Sequence, residues 1–473
     1  MGSSINIFNT GKSGLFANRA ALATTGHNIA NVNTEGYSRQ RVDTTTQHPS
    51  GIGKHVYGTG TTISQINRIN DEYLTRQVSN EMKYLGEYEE KDMALAQAES
   101  VFNEIGNAGL NRLVSKLFNE FRKLGNEPES EALRATVRES ADQLIGDFKR
   151  ISRSVRDVQK NIDVRIDANV RQVNEYIDKI AQLNDDIKRI ELSGGQSGDL
   201  RDARDLAVKK FATITDLSVS TNEKGDFSLS IKGIGTVVAG LLKSKLYVET
   251  GKADPQIGRP EGALRVFMQN RVPPEITDNL KHGRLGGLIE TRDKLLGVAM
   301  ARIDELAYSL ATKINEVHTL GFTLNGSSGI NFFKQPKAMA QAAELMALST
   351  EVQADSKNIA TAITPDAPGD NRLVQYIAKL QHAKIMSGGQ STFDDHYNAT
   401  VADLATVTAK NKQVFEHQQH IVGQLEKFRD SVSGVSLDEE TTNLVQYQHA
   451  FDASAKVIKV ADEMLQTILD LKR

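Results

Sequence analysis

The chain of 473 residues has no cysteine and no tryptophan. Without thiols it can form no disulfide, offer no thiolate nucleophile and hold no cysteine-ligated metal; the absence says nothing about redox compartment. Aromatic residues are only 6% of it, so its cores have to be built from Ala, Leu, Ile and Val. A dominant charge is also lacking, since 57 Lys and Arg stand against 60 Asp and Glu. A near-neutral surface attracts neither nucleic acid nor anionic membrane, so neither is an expected partner. No run of about eighteen apolar residues occurs, which excludes membrane insertion by a helix. The start, "MGSSINIFNT", has neither a basic n-region nor an apolar h-region and is not read as a cleaved signal peptide. Asn6 stands where N-myristoylation needs Ser or Thr. Taken alone, these features describe a cytoplasmic protein of about two to four domains.

Proline is scarce as well, and its nine positions leave residues 129–254 and 369–473 free of it, so most of both tracts can be helix. Ile166, Val173, Ile180 and Ile187 recur at sevens, with Val170 and Ile177 between them, the seam of long antiparallel helices or a coiled coil. Val407, Val414, Ile421 and Phe428 repeat that spacing. Residues 71–124 read as helix interrupted at Gly86 and at 106–109, and residues 284–319 as another helix ending at Gly321. In "NEKGDFSLSIKG" a turn precedes Phe227, Leu229 and Ile231, which alternate with polar residues as in a strand. The fold expected is mainly α with an inserted β-rich domain: a long helical bundle or coiled-coil domain plus paired terminal helices. Its parts are terminal helices at 1–36 and 437–473, a helical middle at 37–195 and 276–436, and an outer β-rich insertion at 196–275.

The two ends match each other. Phe8, Leu15, Leu22 and Ile29 lie seven apart, with Ile5, Ala20 and Ala21 nearby. Leu444, Phe451, Ile458 and Leu465 do the same, joined by Val457, Met464, Ile468 and Leu471. A strict repeat of seven favours helices that supercoil around partners. Residues 1–41 hold four bases against one acid, and residues 437–473 four bases against seven acids. One thin stripe gives little against the entropy of ordering such a helix, so the ends are expected to be largely disordered in the free chain and to fold as neighbouring copies cover them. After the first stripe, the polar run from Asn28 through Asn31 to Asn33 competes for backbone groups, and Gly36 can adopt the left-handed conformation that stops a helix. Tyr37 then offers an apolar body with a polar tip.

Features with a chemical ring to them are weak. "GKS" at 11–13 lacks the first glycine of a phosphate loop, where Asn6 stands, and no strand precedes it. His417 and His420 beside Glu416 form no HExxH motif. "FDDH" at 393–396 reads as a helix start or loop, and "KFRD" and "DARDLAVKK" as solvated helix faces. No catalytic residue, metal ligand or cofactor is expected.

"ALATTGHNIANVNTEGYSRQ" resembles the N-terminal signature of the flagellar axial proteins, the rod, hook and hook-associated family, and "NLVQYQHAFDASAKVIKVADEMLQTILDLKR" resembles their C-terminal signature. "SGDLRDARDLAVKKF", "GRLGGLIETRDKLL" and "SGVSLDEETTNLVQYQ" point to the hook-associated branch. The resemblance implies a structural subunit exported unfolded by the flagellar type III apparatus, without a cleaved signal. It would form a homo-oligomeric ring, about eleven copies in such families, at the hook–filament junction. Its implied partners are the hook protein, the next junction protein and an export chaperone. The residues expected to carry assembly are Phe8, Leu15, Leu22, Asn28, Ile29, Asn31, Gly36, Tyr37, Leu444, Phe451, Ile458 and Leu465. A hook or distal-rod subunit is the alternative, though those relatives generally lack the long helical run at 71–190; an adhesin built on the β insertion is a more distant one.

Overall fold

The computed structural model describes residues 2–52, 55–102, 109–222, 226–254 and 258–470. Its first helix, α1 (Gly2–Ala30), is followed by strands β1 (Gln40–Thr46), β2 (Ser50–Ile52), β3 (His55–Tyr57) and β4 (Thr61–Arg68). β1 pairs antiparallel with β4, and β2 with β3. The helical body then begins with α2 (Glu72–Phe102), α3 (Leu110–Asn126), α4 (Glu131–Leu192) and α5 (Gly198–Ile214).

Helix α4 is the spine of the body, at 62 residues. Ser130 caps its start by accepting a hydrogen bond from Leu133 N, satisfying one of the amides that a helix start leaves without a partner. Its heptad seam is buried: Ile162, Ile166, Val173, Ile177 and Ile180 are all fully covered. The covering is shared between α2, α3, α5, the helices Gly283–Glu290, Leu296–His318 and Ala342–Leu345, and the β unit, so no single coiled-coil partner follows it. α5 and the β unit both lie along the C-terminal part, where Asn184 accepts from Arg204 and Asn174 bonds Leu246. Phe118, Phe121 and Phe148 fill the α3–α4 layer, each with no exposed surface.

Residues 198–214, placed above in the β insertion, are helix α5. Ala207, Val208, Phe211 and Ile214 follow a three-four spacing and are buried, which fixes this segment as a helix of the body. Gly86 does not interrupt α2. It lets α2 and α5 approach closely, since a Cβ there would collide with the Thr213 carbonyl oxygen. Of the second interruption expected, residues 106–108 lie outside the described residues.

The β unit begins at β5 (Leu217–Thr221) and continues through β6 (Phe227–Ile231), β7 (Gly235–Ala239), β8 (Leu242–Lys243), β9 (Leu246–Thr250) and β10 (Leu264–Met268). The first four form an antiparallel sheet in chain order, and β9 pairs with β10. Phe227, Leu229 and Ile231 face inward and are buried, as their alternation requires. Polar ties lock the unit to α4. The Asn174 amide both donates to Leu246 O at 2.8 Å and accepts from Leu246 N at 2.9 Å.

α6 (Gly283–Glu290) leads through a π-helical turn at Thr291–Leu295 into α7 (Leu296–His318). At that turn the wholly buried Arg292 bonds Asp163 at 2.5 Å and Asp293 at 2.6 Å, and Arg259 bonds Asp293 at 2.8 Å. Short helices α8 (Ala342–Leu345), α9 (Thr350–Ala354) and α10 (Arg372–Lys379) follow. α11 (Phe393–Ser433) starts on a reciprocal Thr392–Asp395 capping box, which is what "FDDH" encodes. α11 lies along α2, but the repeat of Val407, Val414, Ile421 and Phe428 is not its buried face. Leu404, Thr408, Asn411, Gln418 and Val422 are buried instead, and Phe428 is 57% exposed. Asn411 and Gln418 donate to the Tyr88 and Glu81 carbonyls of α2. The last helix, α12 (Leu437–Asp470), returns to α1.

Candidate assembly site at the terminal helix pair

α1 and α12 run antiparallel. Asn28 meets Glu440, Asn18 meets Ser454 and Gly11 meets Ile458, so one helix ascends as the other descends. The seam on α1 is made of small residues. A Cβ on Gly11 would lie 2.9 Å from Ile458 Cγ1, and one on Gly14 3.0 Å from Ser454 Oγ. Absent side chains let the two backbones close on each other. The buried side chains of α1 are Ala17, Ala21, Thr24, Thr25 and Asn28.

Phe8, Leu15, Leu22 and Ile29 are each partly buried. They flank the glycine seam: Leu15 and Leu22 follow Gly11 and Asn18 by four residues, a turn of about 40° around the axis. Leu444, Phe451, Ile458 and Leu465 on α12 are also partly buried, with the fully buried Ala461 in the same face. Large apolar groups remain outside the pair: Phe16 is 52% exposed, and Val445, Val457, Val460 and Met464 are exposed too. The side chain of Ile5, and Leu471, lie outside the described residues.

At the end of α1 the polar run forms a clasp. Asn28 is 1% exposed and uses its whole amide. Its nitrogen donates to Gln40 O at 2.9 Å and Glu440 Oε2 at 3.1 Å; its oxygen accepts from Tyr37 OH at 2.8 Å and Gln40 N at 3.0 Å. One side chain thus joins α1, β1 and α12. Asn31 donates to His27 O at 3.0 Å and accepts from Thr34 Oγ1 at 3.1 Å, closing the helix end. Gly36 has φ +82°, the left-handed turn expected of it. Burial, with the carboxylates of Asp199, Asp202 and Glu440 nearby, pushes the Tyr37 phenol well above its ordinary range, so it stays a donor.

The clasp reaches the body through residues that the spacing of the sequence does not reveal. Asp202 is buried, not solvated as its charge-mixed helix implied. It accepts from Ser38 N at 2.8 Å and from Arg68 at 2.9 Å, while Asp205 accepts from Arg68 at 2.8 Å. Burial raises the Asp202 carboxyl pKa and Arg68 opposes it. Burial also works against the Arg68 charge, but Asp205 and Asp202 outweigh it and hold the guanidinium charged. Asp199 accepts from Gln40 Nε2 at 2.6 Å. On the α11 side, Arg39 N donates to Ser433 O at 2.8 Å and Arg429 reaches the Gly36 carbonyl at 3.3 Å, while the Arg39 side chain pairs with Glu439 of α12. These partners lie up to 400 residues apart in sequence. Their one sequence signal is that the stretches resembling family signatures, 21–40, 197–211 and 433–448, converge here.

The cleft among Gly36, Asp202, Leu206 and Arg429 holds about 40 Å³, too small for a substrate. A larger groove of about 760 Å³ between α3 and α10 is lined by Arg112, Lys116 and Arg122, with Glu120 as its one carboxylate and no histidine. His417 and His420 are exposed on α11, and Gly11 of "GKS" is packed against Ile458.

Two closely packed terminal helices latched to a helical body define the class of flagellar axial proteins, and the comparisons agree. Residues 8–37 match the model of the flagella basal body rod protein, and residues 429–471 that of the flagellar basal body rod FlgEFG protein C-terminal. Residues 95–333 match the flagellar hook-associated protein FlgK helical domain, and the chain belongs to that FlgK family. It is 28% identical to flagellar hook-associated protein 1 of Bacillus subtilis, over 98% of this chain and 97% of that one. It is 25% identical to flagellar hook-associated protein 1 of Salmonella typhimurium, over 99% and 100%. The flagellar hook junction protein FlgK of Burkholderia pseudomallei shares the fold, with a TM-score of 0.65 at 15% identity, over 76% of this chain and 100% of that one.

Proposed function

We propose that this chain is a structural subunit of the bacterial flagellum that couples hook to filament, with no catalytic role. The observation that carries the reading is the convergence of the terminal and body motifs on the Asn28 clasp, in a chain that resembles hook-associated protein 1 along almost its whole length. A joint between two tubes needs its tube-forming segment held at a fixed angle to its outer body. A buried, fully bonded amide does this with little tolerance for slack.

In this reading the α1–α12 pair is the inner domain, the α2–α7 and α11 bundle the next shell, and the β unit from Leu217 the outer surface. Phe8, Leu15, Leu22, Ile29, Leu444, Phe451, Ile458 and Leu465 bury their remaining surface against neighbouring copies in a ring. Asn28, Asn31, Gly36 and Tyr37 hold the pair to the body. The subunit leaves the cell by flagellar type III export, accompanied by an export chaperone, and gains its final order at the growing tip. Hook protein lies on one side and the next junction protein on the other.

Electron microscopy of cells lacking the chain tests this. Bare hooks, with filament protein shed into the medium, are expected; missing hooks would point to a rod or hook subunit instead. Leu22→Asp and Ile458→Asp should be exported normally and incorporate poorly. Wild-type amounts of either variant in purified hook–filament structures would remove the assembly role of the stripes.

A further inference from the structure

We infer that strand β5 is a docking edge for a second copy of this chain. The two β5 strands pair antiparallel about Val219 and join both four-stranded sheets into one of eight strands. The contact goes beyond the junction reading and does not depend on it.

β5 stands at one end of the order β5–β6–β7–β8, so one of its sides is open. Asn222 N donates to Asp226 O, and Lys232 N to Asp216 O. Only alternate residues of an antiparallel strand bond across a given side. The even-numbered residues from 216 to 222 therefore bond across to β6, and Leu217, Val219 and Thr221 turn their N–H and C=O groups to the open side. An open strand edge invites another chain, and shortness or charge is the usual defence. β8, the opposite edge of the same sheet, has two residues, one of them Lys243. β1 carries Arg41 and Asp43, β4 Arg68, β9 Glu249 and β10 Arg265. β5, LSVST, has five residues and neither charge nor proline. Its apolar face is unfinished too. Val219 lies opposite the buried Leu229, on the core face of the sheet, yet is 37% exposed.

The residues of the edge select its occupant. Asp216–Asn222 reads DLSVSTN, nearly the same in both directions about Val219. Turned about a two-fold axis at Val219, a second β5 sets valine against valine, Leu217 against Thr221 and serine against serine. The odd-numbered pairs are the ones whose backbone groups face outward, so each exchanges both of its hydrogen bonds. The two Val219 side chains meet on the apolar face. Charge agrees as well. No charged side chain lies within the paired strands, and at each end Asp216 meets Asn222 instead of a second acid. A charged strand of another protein would find no counter-charge along this edge. The contact is isologous. It reverses direction along a ring axis, so it cannot join neighbours within one ring, whose copies all point the same way. It joins a subunit to one outside its own ring. One short strand pair buries less than the about 1,200 Å² of a stable interface, so the dimer is weak.

The purified chain tests this. Sedimentation at concentrations raised to about 1 mM should show reversible dimers. Val219→Pro deletes an outward N–H that β6 does not use, a place where an edge strand tolerates proline. It should weaken dimerisation at least about tenfold, with far-ultraviolet circular dichroism and the urea midpoint unchanged. Val219→Lys, which guards the edge by charge, should weaken it too and covers the case of a proline that disturbs the sheet. Because the chain has no cysteine, Val219→Cys should link two copies on oxidation, its Cα atoms about 5.5 Å apart. Leu242→Cys, on the opposite edge, should not. A chain that stays monomeric throughout, dimers that survive both Val219→Pro and Val219→Lys, or equal linkage through Leu242→Cys would overturn the inference. Val219→Pro should still enter hook–filament structures in wild-type amounts. Its exclusion would mean that β5 serves the ring, and would overturn the two-fold contact. Absence of the wild-type chain from those structures would sink the junction role alone.

Discussion

Helices α4 and α1 carry the same sequence pattern with opposite outcomes. On α4, Ile166, Val173 and Ile180 stand seven apart and lose all exposure. On α1, Phe8, Leu15, Leu22 and Ile29 stand seven apart and every one keeps part of its surface in water. The difference lies in the covering. α4 is roofed by several helices and the β unit of its own chain, whereas the surface of α1 closest to α12 is glycine, leaving the large side chains on its flank. A repeat of seven reports that a stripe exists; it does not say whether the chain that carries it also supplies the cover.

The largest effect should come from the closed stripe. Ile180→Ala leaves a hole in a layer with no slack and should cost about 2–5 kcal/mol, read as a lower urea midpoint for the purified chain. A cost under about 1 kcal/mol there would erase the contrast between the two helices.

Next comes the clasp that joins the two regions. Asn28→Ala strips partners from Tyr37 OH, Gln40 N and Glu440. Leaving such groups buried and unbonded costs about 1–3 kcal/mol. The loss should be local: amide exchange at Gln40 should accelerate by at least about tenfold, a change of about 1.4 kcal/mol, with the unfolding midpoint of the body held. A body that unfolds together with the clasp would show that the two regions are one cooperative unit.

Acid distinguishes them in a third way. His318, in the body, is wholly buried; its Nδ1 donates to Ile330 O at 2.7 Å and its Nε2 accepts from Ala360 N at 2.8 Å. Burial lowers its pKa from the ordinary 6.5 to about 4. The unfolded chain therefore binds a proton below about pH 6.5 that the folded body refuses until about pH 4. Stability is full above pH 6.5 and falls through that window as pH drops, by about 1.4 kcal/mol per unit. Denaturant midpoints measured at pH 7 and 5.5 should show this fall, and His318→Gln should flatten the slope. Among the described residues the terminal pair has no buried histidine: His27 is partly exposed and His449 exposed.

Much of the body was legible in advance because its signals are local. The α4 seam, the alternation at Phe227–Ile231 and the left-handed Gly36 each follow from a few neighbouring residues. What escaped was long-range. Nothing near Asp202 marks it as the acceptor for Ser38 and Arg68, so "DARDLAVKK" looked like a solvated face. The buried side of α11 is partly polar because Asn411 and Gln418 bond α2 carbonyls, and apolar spacing does not mark such a face. Among the residues named for assembly, Asn28 gave the clearest signal of its own, as a polar side chain at a helix end. The glycines at 11 and 14 gave none, because a missing side chain leaves no periodic mark.

The smallest effect is the most telling. Leu22→Ala removes a large side chain from a stripe just as regular as that of α4. Because Leu22 is only partly covered, the transfer energy lost is a fraction of a full burial, and no closed cavity adds to it. The cost to the isolated chain should stay below about 1 kcal/mol, close to invisible in a denaturant titration. In the assembled joint the same side chain is expected to be covered by a neighbour, and there the loss should approach that of Ile180→Ala. The variant should therefore unfold like wild type in dilute solution and yet detach sooner when hook–filament structures are warmed or acidified. Equal losses in both settings would mean that α1 is already closed within its own chain, and that its resemblance to α4 extends beyond pattern.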